Sequence, residues 1–475
     1  MKILFCASEA VPFAASGGLG DVAGSLPKAL KDQGVDIRVV LPCYGQIKEK
    51  YGEELTFVES FNVSLGWRNQ YCGVFTMEKD GVQYYFLDNE YYFNRKGGLY
   101  GHYDDGERFA FFSKAILEML VHLDFEPDII HTNDWQTALV NLYINIFYRN
   151  MPKFYGIKTV FTIHNIQYQG KYGLDMITEL LGVPENWAHH LEYEKTTNFM
   201  KAAIENADKV TTVSPSYAQE ILDPWFSHGL DPILRQRQFK MWGILNGIDY
   251  KEYNPKTDKL IVKNFYPEAF IKNKAVCKED LRNIFGLEES GAPIISMVTR
   301  LVEHKGLDLV KNVAESLIER GYQMVVLGNG DVVYENFFNY LAYKYPGRVG
   351  VKIGFIPSIA RKIYAGSDMF LMPSKSEPCG LSQMIALRYG AIPIVRETGG
   401  LKDSVKDSMD GIGNGFTFAN YSSEDLYGCC MRAFVGYEDT AGWRVLTKRA
   451  MKCDCSWKNS AKQYMDMYDN CLNLW

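Results

Sequence analysis

Short apolar runs that alternate with segments long enough for helices restrict the fold of this sequence more than any other feature. The runs lie at 3–7, 37–41, 129–131, 159–163 and 210–213 in the first half, and at 294–298, 324–327, 369–372 and 392–395 in the second. Strands that alternate with helices form parallel sheets covered by helices on both faces. The sequence therefore predicts an α/β fold with two doubly wound, Rossmann-like domains.

The chain length supports a division into two domains. Its 475 residues exceed the roughly 100 to 200 residues of an ordinary single domain. The first block of strands ends before residue 242, and the turn-forming dipeptide Asn246-Gly247 follows it. We expect an N-terminal domain at 1–241, a C-terminal domain at 246–455 and a hinge at 242–249.

Composition and charge exclude several classes of protein. A net charge of -6 without a basic cluster disfavours a nucleic-acid partner. No run of about 18 apolar residues is present, which predicts no membrane partner, and Ser8 and Glu9 interrupt the apolar start before a signal peptide is complete. The ten cysteines lack zinc-type spacing, so we predict reduced thiols in a cytoplasmic protein.

A glycine-rich run at 16–21, Ser-Gly-Gly-Leu-Gly-Asp, lies between the first strand and a helix. Glycines let the backbone approach a ligand, and amides at a helix start favour a phosphate or a sugar hydroxyl. Gly18, Gly20 and Ala23 also match the loose dinucleotide pattern G-x-G-x-x-A of an NAD-dependent oxidoreductase. That alternative is disfavoured, because the loop begins about ten residues after the strand and no carboxylate ends the next strand. A tight turn without a ligand is the other alternative.

Two cations follow the first strand of the second half. Arg300 comes almost directly after the strand at 294–298, and Lys305 precedes the helix that begins at Leu307. A guanidinium and an ammonium at the carboxyl edge of a parallel sheet suit a diphosphate leaving group. The alternative is a pair of solvated surface cations.

Two more strand-end loops of the second half carry glycines. The run 376–382, Ser-Glu-Pro-Cys-Gly-Leu-Ser, follows one strand, and Glu397-Thr398-Gly399-Gly400 follows the next. Glu377 would accept hydrogen bonds from sugar hydroxyls or stabilise positive charge on an anomeric carbon, although helix capping is an alternative role. Because the chain has no Asp-x-Asp sequence, a carboxylate-held magnesium ion is not indicated, and we predict no metal site.

These motifs together resemble a known family. They include His-Thr-Asn-Asp-Trp at 131–135, Thr-Ile-His-Asn-Ile at 162–166 and Asn-Gly-Ile-Asp at 246–249, in addition to the glycine-rich run, Arg300 with Lys305, and Glu-Pro-Cys-Gly-Leu at 377–381. Over essentially the whole chain the sequence resembles bacterial glycogen synthase and plant starch synthase, which form glycosyltransferase family 5. Each motif is modest alone, but the combination is highly specific.

The resemblance implies a fold and a reaction. It implies the B-type glycosyltransferase fold, with the C-terminal domain as the main donor site, the N-terminal domain as the glucan site, and a final helix at 457–475 that packs back on the N-terminal domain. It also implies a metal-independent retaining transfer of glucose from ADP-glucose, or from UDP-glucose, to the nonreducing 4-hydroxyl of an α-1,4-glucan in glycogen biosynthesis. The sugar nucleotide is a substrate, and no cofactor is implied.

The same resemblance assigns roles to individual residues. The catalytic group is His164 near the anomeric carbon, Arg300 and Lys305 at the diphosphate, and Glu377 at the donor glucose. Donor binding is assigned to Ser16, Gly17, Gly18, Asp21, Asn246, Phe355, Cys379, Gly380, Leu381, Thr398 and Gly399. Acceptor binding is assigned to Asp134, Asn165 and Tyr100. From spacing alone, His164 at the end of an apolar strand is equally well explained as a core histidine.

Two positions depart from the family pattern. The glycine-rich loop usually reads Lys-Thr-Gly-Gly, whereas here Ala15 stands in place of the lysine that would approach the donor. Phe355, predicted to stack on the base, stands where tyrosine is expected. The choice between ADP-glucose and UDP-glucose therefore stays open, as does the alternative of a catalytically weak glucan-binding homologue.

Aromatic residues cluster between 84 and 103. They are Tyr84, Tyr85, Tyr91, Tyr92, Phe93, Tyr100 and Tyr103. Such rings can stack on glucose units, but we expect burial in the core for most of them.

A glucan phosphorylase is a further alternative for the whole chain, although it would need a pyridoxal-binding lysine and a longer sequence.

Overall fold

The computed structural model describes residues 1–473 as two compact units. The first comprises Met1–Val213, Ala218–Ile244 and residues 460–473, and the second comprises Ser214–Tyr217 and Leu245–Asn459. Residues 214–217 were predicted to lie in the first domain instead. A hydrogen bond explains the difference, because the Ser214 hydroxyl donates to the Pro378 carbonyl oxygen at 2.7 Å.

The first unit is built on a nine-stranded sheet. The strands of the whole unit, which belong to this sheet and to a second, smaller one, are in chain order β1 (Lys2–Cys6), β2 (Asp36–Pro42), β3 (Thr56–Leu65), β4 (Arg68–Lys79), β5 (Val82–Asp88), β6 (Ile129–Asn133), β7 (Lys158–Ile163), β8 (Lys171–Tyr172), β9 (Glu192–Tyr193), β10 (Thr196–Asn198), β11 (Lys209–Thr212) and β12 (Met241–Gly243). The large sheet has the order β12-β11-β7-β6-β1-β2-β5-β4-β3, while β8, β10 and β9 form a small antiparallel sheet. The pairs β3–β4 and β4–β5 are antiparallel and the other pairs are parallel.

Helices connect the parallel strands of this unit. They are α1 (Gly18–Lys31), α2 (Gly45–Tyr51), α3 (Glu90–Phe93), α4 (Asp105–His122), α5 (Leu139–Tyr143), α6 (Met176–Glu179), α7 (Glu185–Ala188), α8 (Phe199–Asn206), α9 (Pro215–Glu220), whose first three residues belong to the second unit, and α10 (Asp231–Arg237). A π-helical turn at Ile144–Tyr148 continues α5, and 3-10 turns lie at Pro152–Phe154 and Gln238–Lys240. The buried faces of α1 and α4 are apolar at helical spacing, which explains their packing on the sheet.

The second unit has a six-stranded, fully parallel sheet. Its strands are β13 (Ile294–Val298), β14 (Gln323–Gly328), β15 (Val349–Ile353), β16 (Met369–Met372), β17 (Ile392–Arg396) and β18 (Phe416–Phe418), in the order β15-β14-β13-β16-β17-β18. Its helices are α11 (Ile271–Phe285), α12 (Leu307–Arg320), α13 (Val332–Lys344), α14 (Pro357–Gly366), α15 (Ser382–Arg388), α16 (Gly399–Ser404), α17 (Ser423–Glu438) and α18 (Thr440–Lys452), with 3-10 turns at Glu303–Lys305 and Ser408–Asp410. This strand order is that of a doubly wound Rossmann sheet.

Each large sheet reverses its winding direction at one central strand. β1 pairs with β2 on one side and β6 on the other, and β13 pairs with β14 and β16 in the same way. In open parallel sheets a crevice forms beyond the carboxyl ends of the strands at this point. The loops after β1 and β6, and those after β13 and β16, are therefore the places where ligand-binding residues are expected.

A last helix, α19 (Trp457–Leu472), returns to the first unit. Residues 474 and 475 of the predicted helix lie outside the described residues. His131 on β6 contacts this helix, because its Nδ1 lies 2.6 Å from the Tyr468 hydroxyl and its Nε2 lies 2.6 Å from Thr162 Oγ1. Burial lowers the pKa of His131 to about 3, so the imidazole is neutral and its two nitrogens are satisfied by hydroxyl groups.

The predictions on membrane spans and thiols can be compared with the structure. Within residues 1–473 no helix combines the length and the apolar character that a membrane span requires. All ten cysteines are free thiols, and Cys453 and Cys455 are the partly exposed ones. Burial raises the pKa of Cys43 to about 12, which keeps that thiol protonated.

Replacing Tyr468 by phenylalanine tests the contact that fixes α19. The change leaves Nδ1 of a buried histidine without a partner, which costs about 1–3 kcal/mol of stability and lowers the midpoint of thermal unfolding by roughly 2–6 °C. Circular dichroism on heating measures the shift. Tyr155→Phe is the control, because Tyr155 is 85% exposed, and equal midpoints for both variants would contradict the assigned contact.

Candidate functional site

A cation and a carboxylate meet at the switch point of the second unit. Lys305 ends the 3-10 turn after β13, and Glu377 lies in the loop between β16 and α15. The Lys305 ammonium donates to Glu377 Oε2 at 2.7 Å, and the Ser374 hydroxyl donates to the same oxygen at 3.0 Å. The two charged side chains are 17% and 9% exposed, so the pair is largely withdrawn from water but still reachable by a ligand. The structure thus brings together two of the residues that the sequence predicted.

The loops that carry this pair contact each other through their backbones. The Lys375 N–H donates to the His304 carbonyl oxygen at 2.9 Å. Gly306 adopts φ +75°, and a Cβ atom there would lie 2.1 Å from the Pro373 carbonyl oxygen. Only glycine fits this approach. Burial, with a smaller effect from the Lys305 charge, lowers the pKa of His304 to about 4, so the neighbouring imidazole adds no positive charge at neutral pH.

The Glu377 loop is held from two sides. The Gly400 N–H donates to the Glu377 carbonyl oxygen at 3.1 Å, and a Cβ atom on Gly400 would lie 2.1 Å from the Cys379 carbonyl oxygen. On the other side, Gln383 Nε2 donates to the carbonyl oxygens of Cys379 at 3.0 Å and Gly380 at 2.9 Å. The remaining predicted residues of these loops are placed as follows: Thr398 and Gly399 are buried and Leu381 is half-buried. The loop geometry is therefore set before any ligand binds.

Three other predicted residues of the second unit have different surroundings. Arg300 follows β13 by two residues and is exposed, and Phe355 follows β15 and is 88% exposed. Asn246 is buried, and its backbone lies beside the Cys379 thiol, where it opposes the rise in the pKa of that thiol that burial causes. Its side-chain Oδ1 has no hydrogen-bond partner among the described residues. An unpaired buried acceptor beside the Glu377 loop is a suitable partner for a ligand hydroxyl.

In the first unit, the buried carboxylate of Glu9 organises the glycine-rich run. Ser16 donates both its N–H and its hydroxyl to Glu9 Oε2, the hydroxyl at 2.8 Å, while the Gly20 N–H donates to the Gly17 carbonyl oxygen at 3.0 Å. Glu9 is 3% exposed, and burial raises its pKa. Glu9 was not among the predicted site residues. Its position three residues after β1, at the strand where the winding of the sheet reverses, could have indicated it as a site residue.

The loop in the glycine-rich run is shorter than predicted. α1 begins at Gly18 rather than after Gly20, with Gly17 at its N-cap. A Cβ atom on Gly20 would lie 2.6 Å from the Ala15 Cβ, so Gly20 serves close packing. The predicted donor residues Ser16, Gly17, Gly18 and Asp21 are exposed. The dinucleotide pattern consequently lies inside a helix, which removes the structural basis of the oxidoreductase alternative.

Asp134 connects the ends of β6 and β7. It adopts a left-handed conformation with φ +55°, which is unusual for a residue with a side chain. Its carboxylate accepts hydrogen bonds from the His164 N–H at 2.8 Å and the Asn165 N–H at 3.5 Å. Burial raises the pKa of Asp134 to about 7, against the opposing effect of these hydrogen bonds. The structure therefore brings the predicted residues Asp134, His164 and Asn165 together.

The hydrogen bonds of His164 define its tautomer. His164 Nε2 lies 2.9 Å from Asn133 Oδ1, while Asn133 Nδ2 donates to the Cys6 carbonyl oxygen at 3.0 Å. Since Oδ1 can only accept, His164 Nε2 carries the hydrogen and Nδ1 keeps a lone pair. Burial lowers the pKa of His164 to about 3, so the ring is neutral at physiological pH. Asn133 was not predicted, because its role appears only when β1 and β6 are neighbours.

Tyr100 lies at the same edge of the first unit. Its hydroxyl is 2.7 Å from Ser8 Oγ, and Ser8 follows β1 directly before Glu9. The Tyr44 hydroxyl donates to the Ser8 carbonyl oxygen at 2.8 Å and fixes that backbone. The predicted acceptor residue is thus placed beside the carboxylate that organises the glycine-rich run.

The predicted site residues form two groups, one in each unit. Polar groups lie at the carboxyl edge of β1, β6 and β7 in the first unit, and the charged pair lies at the edge of β13 and β16 in the second. In the part of the chain that the structure describes, no three His, Cys, Asp or Glu side chains are arranged to hold a metal ion. The individual roles given to these residues stay predictions.

Two family models match the chain. The model described as the starch synthase catalytic domain matches residues 2–236, and that of glycosyl transferases group 1 matches residues 279–428. A glycogen synthase from Bacillus cereus is 50% identical over 477 residues, which cover 99% of this chain and 100% of the relative. A glycogen synthase from Clostridium botulinum is 51% identical over 474 residues, which cover 98% of this chain and 99% of the relative.

Solved structures agree with these relatives. The catalytic domain of starch synthase IV from Arabidopsis thaliana, bound to ADP and acarbose, aligns with a TM-score of 0.89 at 33% identity and 99% coverage of both chains. Sucrose-phosphate synthase from Thermosynechococcus elongatus aligns with a TM-score of 0.59 at 18% identity, with 99% of this chain and 98% of that chain covered, which shows a shared fold alone. The two doubly wound units have the B-type glycosyltransferase fold. The chain therefore belongs to the glycogen and starch synthase family of glycosyltransferases.

Proposed function

We propose that this chain is a glycogen synthase. It transfers glucose from ADP-glucose, with retention at the anomeric carbon, to the nonreducing 4-hydroxyl of an α-1,4-glucan. Relatives at about 50% identity over almost the full chain carry this name, and the similar Arabidopsis starch synthase structure holds ADP and acarbose. These comparisons support a sugar nucleotide as donor and a glucan as acceptor.

The Lys305–Glu377 pair is the observation that carries the proposal. When the bond between the glucose C1 and the phosphate oxygen breaks, negative charge grows on the leaving diphosphate, and a cation fixed beside it stabilises the transition state. Without a ligand, Lys305 is already oriented by Glu377 at 2.7 Å. When the donor binds, its phosphates accept the hydrogen bonds of the Lys305 ammonium in place of Glu377. Glu377 then accepts hydrogen bonds from the glucose hydroxyls. The exposed guanidinium of Arg300 adds a second donor to the diphosphate.

The first unit is proposed to bind the acceptor glucan. The acceptor hydroxyl attacks C1 on the face from which the phosphate oxygen departs, and that phosphate oxygen takes the hydroxyl proton. His164 does not supply a proton at neutral pH, because burial lowers its pKa to about 3. Its Nδ1 lone pair accepts a hydrogen bond from a sugar hydroxyl instead, while Asp134, Asn165 and Tyr100 contribute further acceptor contacts.

The choice of ADP-glucose has two supports. The solved starch synthase structure holds ADP, and Phe355 offers an almost fully exposed ring at the end of β15 on which a purine base can stack. Because Ala15 stands in place of the lysine, the donor-binding site has one cation fewer. Lys305 and Arg300 must then neutralise the diphosphate. We propose that neither a metal ion nor a cofactor takes part. The free thiols support a place in the cytoplasm.

Release of nucleotide from ADP-glucose and UDP-glucose over the same glycogen primer tests the proposed reaction. In the presence of EDTA we expect kcat/KM for ADP-glucose to exceed that for UDP-glucose by at least about tenfold. Faster release from UDP-glucose would favour the UDP-glucose alternative, and loss of activity with EDTA would contradict metal independence. A chain that binds glycogen but releases neither nucleotide would be a glucan-binding homologue.

Lys305→Ala tests the role of the charged pair. The variant lacks the cation that stabilises the leaving group, so kcat should fall by roughly 100- to 1,000-fold. The same assay on Lys259→Ala is the control, because Lys259 is an exposed lysine of the second unit and should leave kcat unchanged. Unaltered turnover in Lys305→Ala would remove Lys305 from the mechanism.

The dependence of the rate on pH tests Asp134. Its raised pKa of about 7 means that the carboxyl is protonated below this pH and charged above it. The charged form binds the His164 and Asn165 amides more strongly, so kcat/KM should rise with pH through about 7. In Asp134→Asn this rise with pH should vanish, whereas in Glu9→Gln it should remain but occur at lower pH, because the Glu9 charge is one of the causes that raise the pKa of Asp134. An unchanged rise in Asp134→Asn would assign the titration to another group.

A further inference from the structure

The hydroxyl of Ser374 shares the carboxylate of Glu377 with Lys305. Ser374 is 1% exposed, and its hydroxyl donates at 3.0 Å to Glu377 Oε2, the same oxygen to which the Lys305 ammonium donates at 2.7 Å. In the proposed reaction the donor phosphates accept the hydrogen bonds of Lys305 in place of Glu377. The Ser374 hydroxyl then remains as a hydrogen bond that orients the carboxylate. The orientation of Glu377 during transfer therefore depends on what holds Ser374.

The backbone at residues 374 and 375 is held by an arginine of the neighbouring strand. Arg396 ends β17, and its Nη1 donates to the carbonyl oxygens of Lys375 at 2.8 Å and Ser374 at 3.4 Å. The Lys375 N–H in turn donates to the His304 carbonyl oxygen at 2.9 Å. A guanidinium donates charge-assisted hydrogen bonds in a rigid planar geometry, so it fixes the direction of the carbonyl groups that it binds. Arg396 and the turn that carries Lys305 thus both hold this short stretch.

Arg396 is itself fixed by an aromatic contact. Its guanidinium carbon lies 5.5 Å from the centre of the Tyr421 ring, a distance at which a cation is attracted to the ring face. The Tyr421 hydroxyl donates at 2.5 Å to Asp308 Oδ1, in the first turn of α12. Tyr421 follows β18, and Asp308 follows the turn after β13. One set of contacts therefore joins the loops after β13, β16, β17 and β18.

A purely structural role for Arg396 is the alternative, and Arg348 provides the comparison. Arg348 is also half-buried, and its Nη2 donates to the carbonyl oxygens of Ile318 at 2.7 Å and Tyr322 at 3.1 Å. Arg348 and Tyr322 directly precede β15 and β14, so these contacts lie at the amino edge of the sheet. The two arginines make the same type of contact at opposite edges of one sheet. Of the two, Arg396 lies at the edge that carries the Lys305–Glu377 pair.

We propose that Arg396 is a positioning residue of the donor site. It holds the backbone of Ser374 and Lys375 so that the Ser374 hydroxyl keeps Glu377 oriented while Lys305 binds the diphosphate. This inference rests on the proposed function, because it assumes that a donor replaces Glu377 as the partner of Lys305. Since Arg396 acts through the loop rather than on the donor itself, its loss should slow the transfer step more than it weakens donor binding.

Arg396→Ala tests this role through the separate values of kcat and KM. With ADP-glucose and glycogen, kcat should fall about tenfold, because Glu377 is no longer held in the geometry that stabilises the transition state. The KM for ADP-glucose should stay within about threefold of the parent chain. Arg348→Ala is the matched control and should leave both constants unchanged. An equal loss of kcat in Arg348→Ala would overturn the inference, as would a raised KM for ADP-glucose with unchanged kcat in Arg396→Ala.

A double-mutant cycle with Ser374→Ala identifies the path of the effect. If Arg396 acts through Ser374, kcat should fall by a similar factor, roughly tenfold, in both single variants and in Arg396→Ala/Ser374→Ala. Independent effects would multiply to a loss of roughly a hundredfold in the double variant, and that result would overturn the inference. Arg396→Lys serves if Arg396→Ala does not fold. It keeps the charge without the planar fork, so kcat should fall about threefold, and a kcat equal to that of the parent chain would overturn the inference.

Crystal structures of the parent chain and of Arg396→Ala address the same point without turnover. In the variant the Ser374 hydroxyl should lie more than about 3.5 Å from Glu377 Oε2, beyond hydrogen-bonding distance. Arg348→Ala should keep the contact at 3.0 Å. A preserved contact in Arg396→Ala would overturn the inference. A parent chain that transfers no glucose would refute the proposed function, whereas loss of the contact in Arg396→Ala would still support the positioning role.

Discussion

The reversal of winding at β1 and β13 decides where the polar chemistry of this chain can lie. At a central strand whose two neighbours connect in opposite directions, the following loops diverge and leave the carboxyl edge of the sheet uncovered. Ser8 and Glu9 follow β1, Asp134 follows β6, and Lys305 and Glu377 follow β13 and β16. Away from this edge, helices cover the parallel strands and bury most of their side chains. In both units, the polar side chains thus lie beyond the central strand at which the winding reverses, although the sequences and the side chains differ.

The charged groups at these edges differ in how far water and ligands can reach their hydrogen-bond partners. This difference separates residues that position a loop from residues that can bind a ligand. Glu9 is 3% exposed and accepts two hydrogen bonds from Ser16, so a ligand has little room to replace this partner. Lys305 and Glu377 retain exposure of 17% and 9%. Losing one partner of such a buried pair outright would cost about 3–5 kcal/mol, whereas exchanging Glu377 for a phosphate keeps the ammonium paired. The Lys305–Glu377 pair can therefore exchange its internal ion pair for contacts with a ligand. Glu9 instead fixes the glycine-rich run of its own unit through Ser16.

Local sequence signals predict the parallel strands and part of the site. β13 and β16 are apolar runs, and residues such as Lys305 and Glu377 stand out because they follow those runs closely. β3 was not predicted, because the first five residues of this edge strand are all exposed and produce no apolar run. The start of α1 at Gly18 was also missed, since two glycines in its first turn indicate a loop by propensity. Tertiary packing of Leu19 and Val22 overrides that propensity.

Other features depend on contacts between residues far apart in the chain. Asn133 sets the tautomer of His164 only because β1 supplies the Cys6 carbonyl oxygen that orients the amide. Residues 214–217 join the second unit through hydrogen bonds to Pro378 and Asp403. No local pattern encodes such pairings, so sequence reasoning identifies the strand ends but not the partners that lock them.

Left-handed backbone occurs at both site edges for opposite reasons. At Gly306, φ is +75° and a Cβ atom would lie 2.1 Å from a carbonyl oxygen, so the position requires the absence of a side chain. At Asp134, φ is +55° in a residue whose carboxylate accepts hydrogen bonds from two amides, so the position requires a side chain in spite of a cost of about 1–2 kcal/mol. Glycine at 134 would relieve this strain but would leave the amides of His164 and Asn165 without their acceptor. Conformational strain at Asp134 is thus retained because the same residue provides the hydrogen bonds that join β6 to the loop after β7.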